Sequence, residues 1–151
     1  MSVTALTNLP TDRVKLANQL RPVLLQLNRH LRKELAPLGI TASQAALLHA
    51  IRTNPRLGVR DLAVREGVSA PAMSAHLDRL EAAELVRRAR SLDDRRRVVL
   101  EVTEKGLRTL RSARARRTAW LAARLKRLTP AELRAVEDAI APLQRLLEDA
   151  E

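Results

Sequence analysis

The chain contains no cysteine, no tyrosine and no phenylalanine, and Trp120 is its one large aromatic residue. Without cysteine there is no disulfide, no thiolate metal site, no cysteine nucleophile and no thiol that could sense oxidant. The scarcity of aromatics leaves little with which to stack splayed-out bases, as single-strand binders commonly do, whereas duplex grooves require none. Glycine occurs only four times, in neither a GxGxxG nor a GxxxxGK arrangement, which excludes the common phosphate-cradling loops. His30, His49 and His76 fall on three different predicted helices with no HxxH or HExxH spacing, so no metal site is expected. No convergent set of nucleophile, acid and base is apparent, and the expectation is a non-enzymatic protein without a cofactor.

Long apolar runs are also missing. No stretch approaches the roughly 18 uninterrupted apolar residues of a membrane-spanning helix. The first residues, MSVTALTNLPTDRVK, show neither a charged start followed by an apolar run nor a cleavage site. A cytoplasmic protein without membrane contact is expected. Acidic residues are in deficit: Lys and Arg number 28 against 17 Asp and Glu, a net charge of +11, which points to a polyanionic partner. A length of 151 residues with 46% apolar content suits one domain, or two lobes sharing long helices.

What is present is strongly periodic. Leu20, Leu24, Leu27, Leu31 and Leu35 lie on one stripe of a helix expected from about Thr11 to about Leu35, which Pro22 either kinks or divides and Pro37 and Gly39 end. Thr41 and Gln44 have the spacing of a capping box that opens a short helix carrying Ala45, Leu48 and Ile51, closed by Asn54-Pro55. A third helix fits Val59 to Glu66, with Gly67 as a left-handed terminator. Ser69 caps a fourth, Ala70 to about Ala83, with Pro71 in its first turn and Met73, Leu77 and Leu80 inward. Helix, tight glycine-containing turn, helix is a helix-turn-helix pattern.

LVRRAR and VVLEV then read as two strands, with Val98, Leu100 and Val102 alternating to one face. Thr103 caps a helix expected from Glu104 to Leu128. Thr129 and Glu132 form a second capping box, and Leu133, Val136, Ile140, Leu143 and Leu147 follow at coiled-coil-like steps. The expected fold is mostly α with a small β component (α+β): a winged helix-turn-helix with a two-strand wing, plus a helical lobe from the two ends of the chain. Short helices and a hairpin cannot cover leucine stripes at both ends, so the stripes should meet each other, either in an intramolecular bundle alone or together with a second copy of the chain.

A helix fits the roughly 12 Å major groove and a narrow hairpin tip can enter the minor groove beside it, so double-stranded DNA is the expected partner. The outward face of the fourth helix offers Ala70, Pro71, Ser74 and Ala75, with Asp78 further along, and Ser69 and Ser74 read as a cap and a groove-facing hydroxyl. That face is small and lacks an arginine to bond bidentately to guanine. The tip supplies what it lacks. An arginine entering a narrow, electronegative minor groove must be held extended, and Asp94 has the spacing to brace Arg96. Arg95 and Arg97 would bind flanking phosphates, as could Arg87, Arg88 and Arg90 on the rising strand. The alternative from another class is an architectural or RNA-associated basic protein that binds by charge alone.

From about Leu38 to Gly106, LGITASQAALLHAI and VRDLAVREGVSAPAMSAHLDRLEAAELVRRARSLDDRRRVVLEVTEKG, the chain resembles the MarR (multiple antibiotic resistance regulator) family of winged-helix transcription factors. Asp94-x-Arg96 followed by Thr103 and Gly106 is its most specific signature. The resemblance implies a homodimer whose helical lobe spans residues 1–38 and 107–151, with residues 39–106 as the DNA-binding lobe and a pseudo-palindromic operator as target. It implies a repressor, or occasionally an activator, often released by a small ligand bound between the lobes. It places Ser69, Ala70, Pro71, Ser74 and Ala75 at the major groove and Arg96 in the minor groove. Ala75 departs from the family pattern, where many members carry a base-reading arginine, and this shifts weight to the wing and to DNA shape. The missing cysteine excludes the family's oxidant-sensing mode and the scattered histidines argue against zinc. What remains is an anionic or aromatic small effector, or none; Trp120 and nearby arginines could line a pocket for one, although a lone tryptophan on a leucine-rich helix more often packs a dimer core.

Overall fold

The computed structural model describes residues 10–93 and 98–148. Its elements run α1 (Thr11–Lys33), a single 3-10 turn (Ala36–Leu38), α2 (Ala42–Thr53), α3 (Val59–Glu66), α4 (Ala70–Ala82), β1 (Val86–Arg90), β2 (Val98–Val102), α5 (Glu104–Leu125) and α6 (Pro130–Arg145). The expected α+β architecture, a helix-turn-helix followed by an antiparallel two-strand wing, is present.

Local capping chemistry sets most boundaries. At α2, Gln44 N–H donates to Thr41 Oγ1 (3.1 Å) while Thr41 N–H donates to the Gln44 side chain (2.8 Å), which satisfies two otherwise orphaned amides. The same reciprocal pair joins Thr129 and Glu132 at α6. Gly67 ends α3 with φ 64°, in the left-handed region where glycine carries no Cβ penalty. The turn from α4 into β1 uses the same device without glycine: Glu84 stands at φ 61°, and Leu85 N–H reaches back to the Leu80 carbonyl (2.9 Å).

Leu48 and Ile51 of α2, Leu62 of α3, Met73, Leu77 and Leu80 of α4, Val86 of β1 and Leu100 of β2 form one buried cluster, joined by Leu35 and by Ala113 of α5. This is the core of the winged helix. Burying a leucine contributes on the order of 1.5–3 kcal/mol, so the cluster fixes α4 and the ribbon on a common base.

Several expectations are corrected. The first helix stops at Lys33, and Leu35 instead anchors the following turn in the core. Pro22 does not divide α1, which is helical on both sides of it. Of the three alternating residues on β2, Leu100 is buried but Val98 is 53% exposed, because the ribbon's outer end extends past the core. The fifth helix stops at Leu125; Arg127 and Leu128 close tight turns onto Arg124 and Leu125, since the residue before Pro130 is steered out of the helical region. Neither α1 nor α6 buries a single residue within the chain: Val23, Leu24 and Leu27, like Leu133, Val136 and Ile140, stay exposed. The stripes do not cover each other.

Candidate nucleic-acid interface

Ser69 Oγ accepts the Ala72 N–H (3.3 Å) and Pro71 occupies the first turn, where its missing N–H costs nothing. This start sets the rotation of α4. Met73, Leu77 and Leu80 face the core, so Ser69, Ala70, Pro71 and Ala75 are left exposed and Ser74 half-buried at the N-terminal half of the helix. The five residues expected at the major groove therefore share an accessible surface of small side chains.

The wing strands pair Val86 with Val102, Arg88 with Leu100 and Arg90 with Val98 on one face, and Arg87 with Glu101 on the other. The three strand arginines, equivalent in the sequence, diverge here. Arg87 Nε and Nη2 both bond to Glu101 Oε2 across the ribbon, at 2.8 and 2.7 Å. Arg90 is exposed near the outer end. Arg88 turns toward α4, with Nη2 bonded to Asp78 (2.8 Å) and Nη1 to Glu81 (2.6 Å). The hydrogen bond to Asp78 raises the guanidinium's pKa above its already high ordinary value; partial burial opposes this and the Glu81 charge supports it. Asp94, Arg95, Arg96 and Arg97 lie outside the described residues, and so does the expected Asp94–Arg96 brace.

At the root of the wing, Thr103 Oγ1 donates to the Glu84 carbonyl (2.6 Å) and accepts the Gly106 N–H (3.0 Å), while Lys105 Nζ donates to the Ala83 carbonyl (2.9 Å). These contacts tie the start of α5 to the end of α4. Further along α5, Arg116 and Arg117 donate to the Glu34 and Leu31 carbonyls (2.9 and 3.4 Å), placing positive charge at the C-terminal end of α1. Trp120 stacks on His30, with ring centroids 5.2 Å apart, and the Arg124 guanidinium carbon lies 3.6 Å from its ring centroid.

A cleft of about 480 Å³ opens between α2 and α5, with Ala45 and Ala113 at its apolar floor and His49, Arg52, Arg114 and Arg117 among its lining residues. Trp120 does not line it. Sequence reasoning missed the Arg88 fork, the wing-root ties and the Trp120 stack. The one available signal was the three-residue spacing of Asp78 and Glu81, which puts both carboxylates on one side of α4.

Residues 40–98 match the model of the MarR family. The chain is 33% identical over 113 residues to YfiV of Bacillus subtilis, an uncharacterized HTH-type transcriptional regulator, across 75% of this chain and 71% of the relative. A solved mutant of E. coli MarR is 26% identical with a TM-score of 0.69, covering 90% of this chain and 97% of that one. A mutant of S. aureus MepR bound to an oligodeoxyribonucleotide shares the fold at 19% identity and a TM-score of 0.68, over 87% of this chain and 97% of that one.

Proposed function

This chain belongs to the MarR family of winged-helix, DNA-binding transcriptional regulators and is not an enzyme, and on that premise we propose that it is a cytoplasmic, homodimeric repressor of a pseudo-palindromic operator, released by a small anionic or aromatic ligand. The observation that carries the DNA reading is the accessible small-residue surface of α4, from Ser69 to Ala75, mounted on the same core as an arginine-bearing ribbon. The MepR neighbour was solved with an oligodeoxyribonucleotide, which supports the same use of this fold.

In this reading Ser69, Ala70, Pro71, Ser74 and Ala75 approach base edges and thymine methyls in the major groove. Arg96, braced by Asp94, enters the minor groove, while Arg95, Arg97, Arg87 and Arg90 meet phosphates. Residues 39–106 act as the DNA-binding lobe, and residues 1–38 and 107–151 as the dimerisation lobe. The exposed apolar stripes of α1 and α6 support a second copy as their cover. The α2–α5 cleft, with basic side chains over an apolar floor, suits an anionic effector that would bias one lobe against the other.

The test compares a duplex selected from a random library by the full chain with a scrambled duplex of equal length. Arg96→Ala should weaken the selected duplex far more than the scrambled one, and Arg87→Ala should weaken both alike. Equal behaviour of the two variants contradicts the assigned roles.

A further inference from the structure

We propose that Arg88 is a positioning residue that locks the angle between the recognition helix and the wing, rather than a phosphate contact. The inference rests on the DNA-binding reading above and goes beyond it in naming what sets its precision.

Arg88 shares its ribbon face with Val86 and Leu100, both 2% exposed, at a position where strand alternation calls for another apolar side chain. The Arg88 side chain there keeps 34% of its surface exposed. It goes to α4, where each terminal nitrogen meets a different carboxylate, Asp78 at 2.8 Å and Glu81 at 2.6 Å. Two short bonds from one planar group fix distance and rotation together, which a single flexible pair does not. The two elements so joined are the ones expected to enter adjacent grooves.

Charge points the same way. Asp78 and Glu81 follow directly on the DNA-facing half of α4, where unpaired carboxylates would repel phosphates, and the guanidinium offsets both. With both donor ends occupied by carboxylates, Arg88 is poorly placed to bind phosphate as well. Arg90, two residues along the same strand, is exposed and makes no ion pair among the described residues.

The experiment uses the full chain and the selected and scrambled duplexes. The decisive variant is Asp78→Asn with Glu81→Gln, which makes the protein more positive and keeps side-chain size. If the fork positions the helix, this variant loses about tenfold in affinity for the selected duplex while holding or gaining affinity for the scrambled one. If it binds both duplexes more tightly in proportion, charge alone governs the region and the proposal is overturned.

Arg88→Ala supplies the second arm. A positioning residue lowers the ratio of selected to scrambled binding and leaves the slope of log affinity against log salt unchanged. A phosphate contact would instead reduce that slope by about 0.9 for each arginine removed, with the ratio intact, and would also overturn the proposal. Failure of the wild-type chain to distinguish the two duplexes would refute the DNA-recognition reading itself; discrimination by the wild type that both variants retain would refute only the fork.

Discussion

Gly106 lies against the carbonyl oxygen of Leu85, so close that a Cβ on Gly106 would overlap that oxygen and the Val102 side chain. The obstacle is backbone and cannot swing aside. Gly106→Ala should therefore push α5 away from the wing root and destabilise the fold by about 2–3 kcal/mol, the upper range for overpacking. Thermal unfolding should show a midpoint lower by roughly 5–10 °C, at about 2–4 °C per kcal/mol for a chain of this size. An unchanged midpoint would mean that the contact is loose.

Glu84 presents the opposite case, a side chain at φ 61° where glycine is at ease. Its exposed ion pair with Lys105, at 3.5 Å, contributes little. Left-handed backbone costs a non-glycine residue about 1–2 kcal/mol, partly offset by the extra unfolded-state freedom of glycine. Glu84→Gly should accordingly raise stability by about 0.5–1 kcal/mol in denaturant titration.

How much of this was legible beforehand depends on range. Thr41 with Gln44, Ser69 with Ala72, and Thr129 with Glu132 act within one helical turn, so the sequence spacing contains the geometry. The buried faces of α2 and α4 follow from helical period in the same way. Arg88 differs because its partners are ten and seven residues away, on an element whose angle to the strand no local pattern encodes. Trp120 and His30 meet across ninety residues. Glu84 was hidden by its residue type, since left-handed turns are sought at glycine or asparagine. The ribbon's outer valine, Val98, shows that period two assigns a face but not how far the core extends beneath it.

The Glu132 cap should respond to pH. Backbone hydrogen bonding to Thr129, followed by its hydroxyl, holds the Glu132 carboxyl below the usual glutamate pKa. Its ionised form is thus favoured in the folded chain: the contribution is complete above the unfolded-state pKa and is lost as pH falls through the depressed folded value. Glutamine keeps a capping oxygen but does not titrate, so wild type should exceed Glu132→Gln in thermal midpoint near neutrality. That gap should close on acidification toward pH 3, and a constant gap would refute the electrostatic origin.

The stripe on α6 should report on assembly. Ile140 is 51% exposed in the single chain, yet it sits between Val136 and Leu143 on the apolar face. In the proposed dimer, Ile140→Asp would bury an unpaired carboxylate, weakening association by about 3 kcal/mol or roughly 100-fold. Sedimentation should find the variant shifted toward monomer while circular dichroism stays helical.

Operator recognition in the proposed dimer requires two winged helices to read one duplex together, about one DNA turn apart. Inserting about five base pairs at the centre of the selected duplex rotates one half-site by roughly half a turn without altering either half. Titration of the full chain should then show affinity falling toward that for scrambled DNA, with two chains bound to the unmodified duplex and no such complex on the lengthened one. Equal affinity for both duplexes would contradict the account.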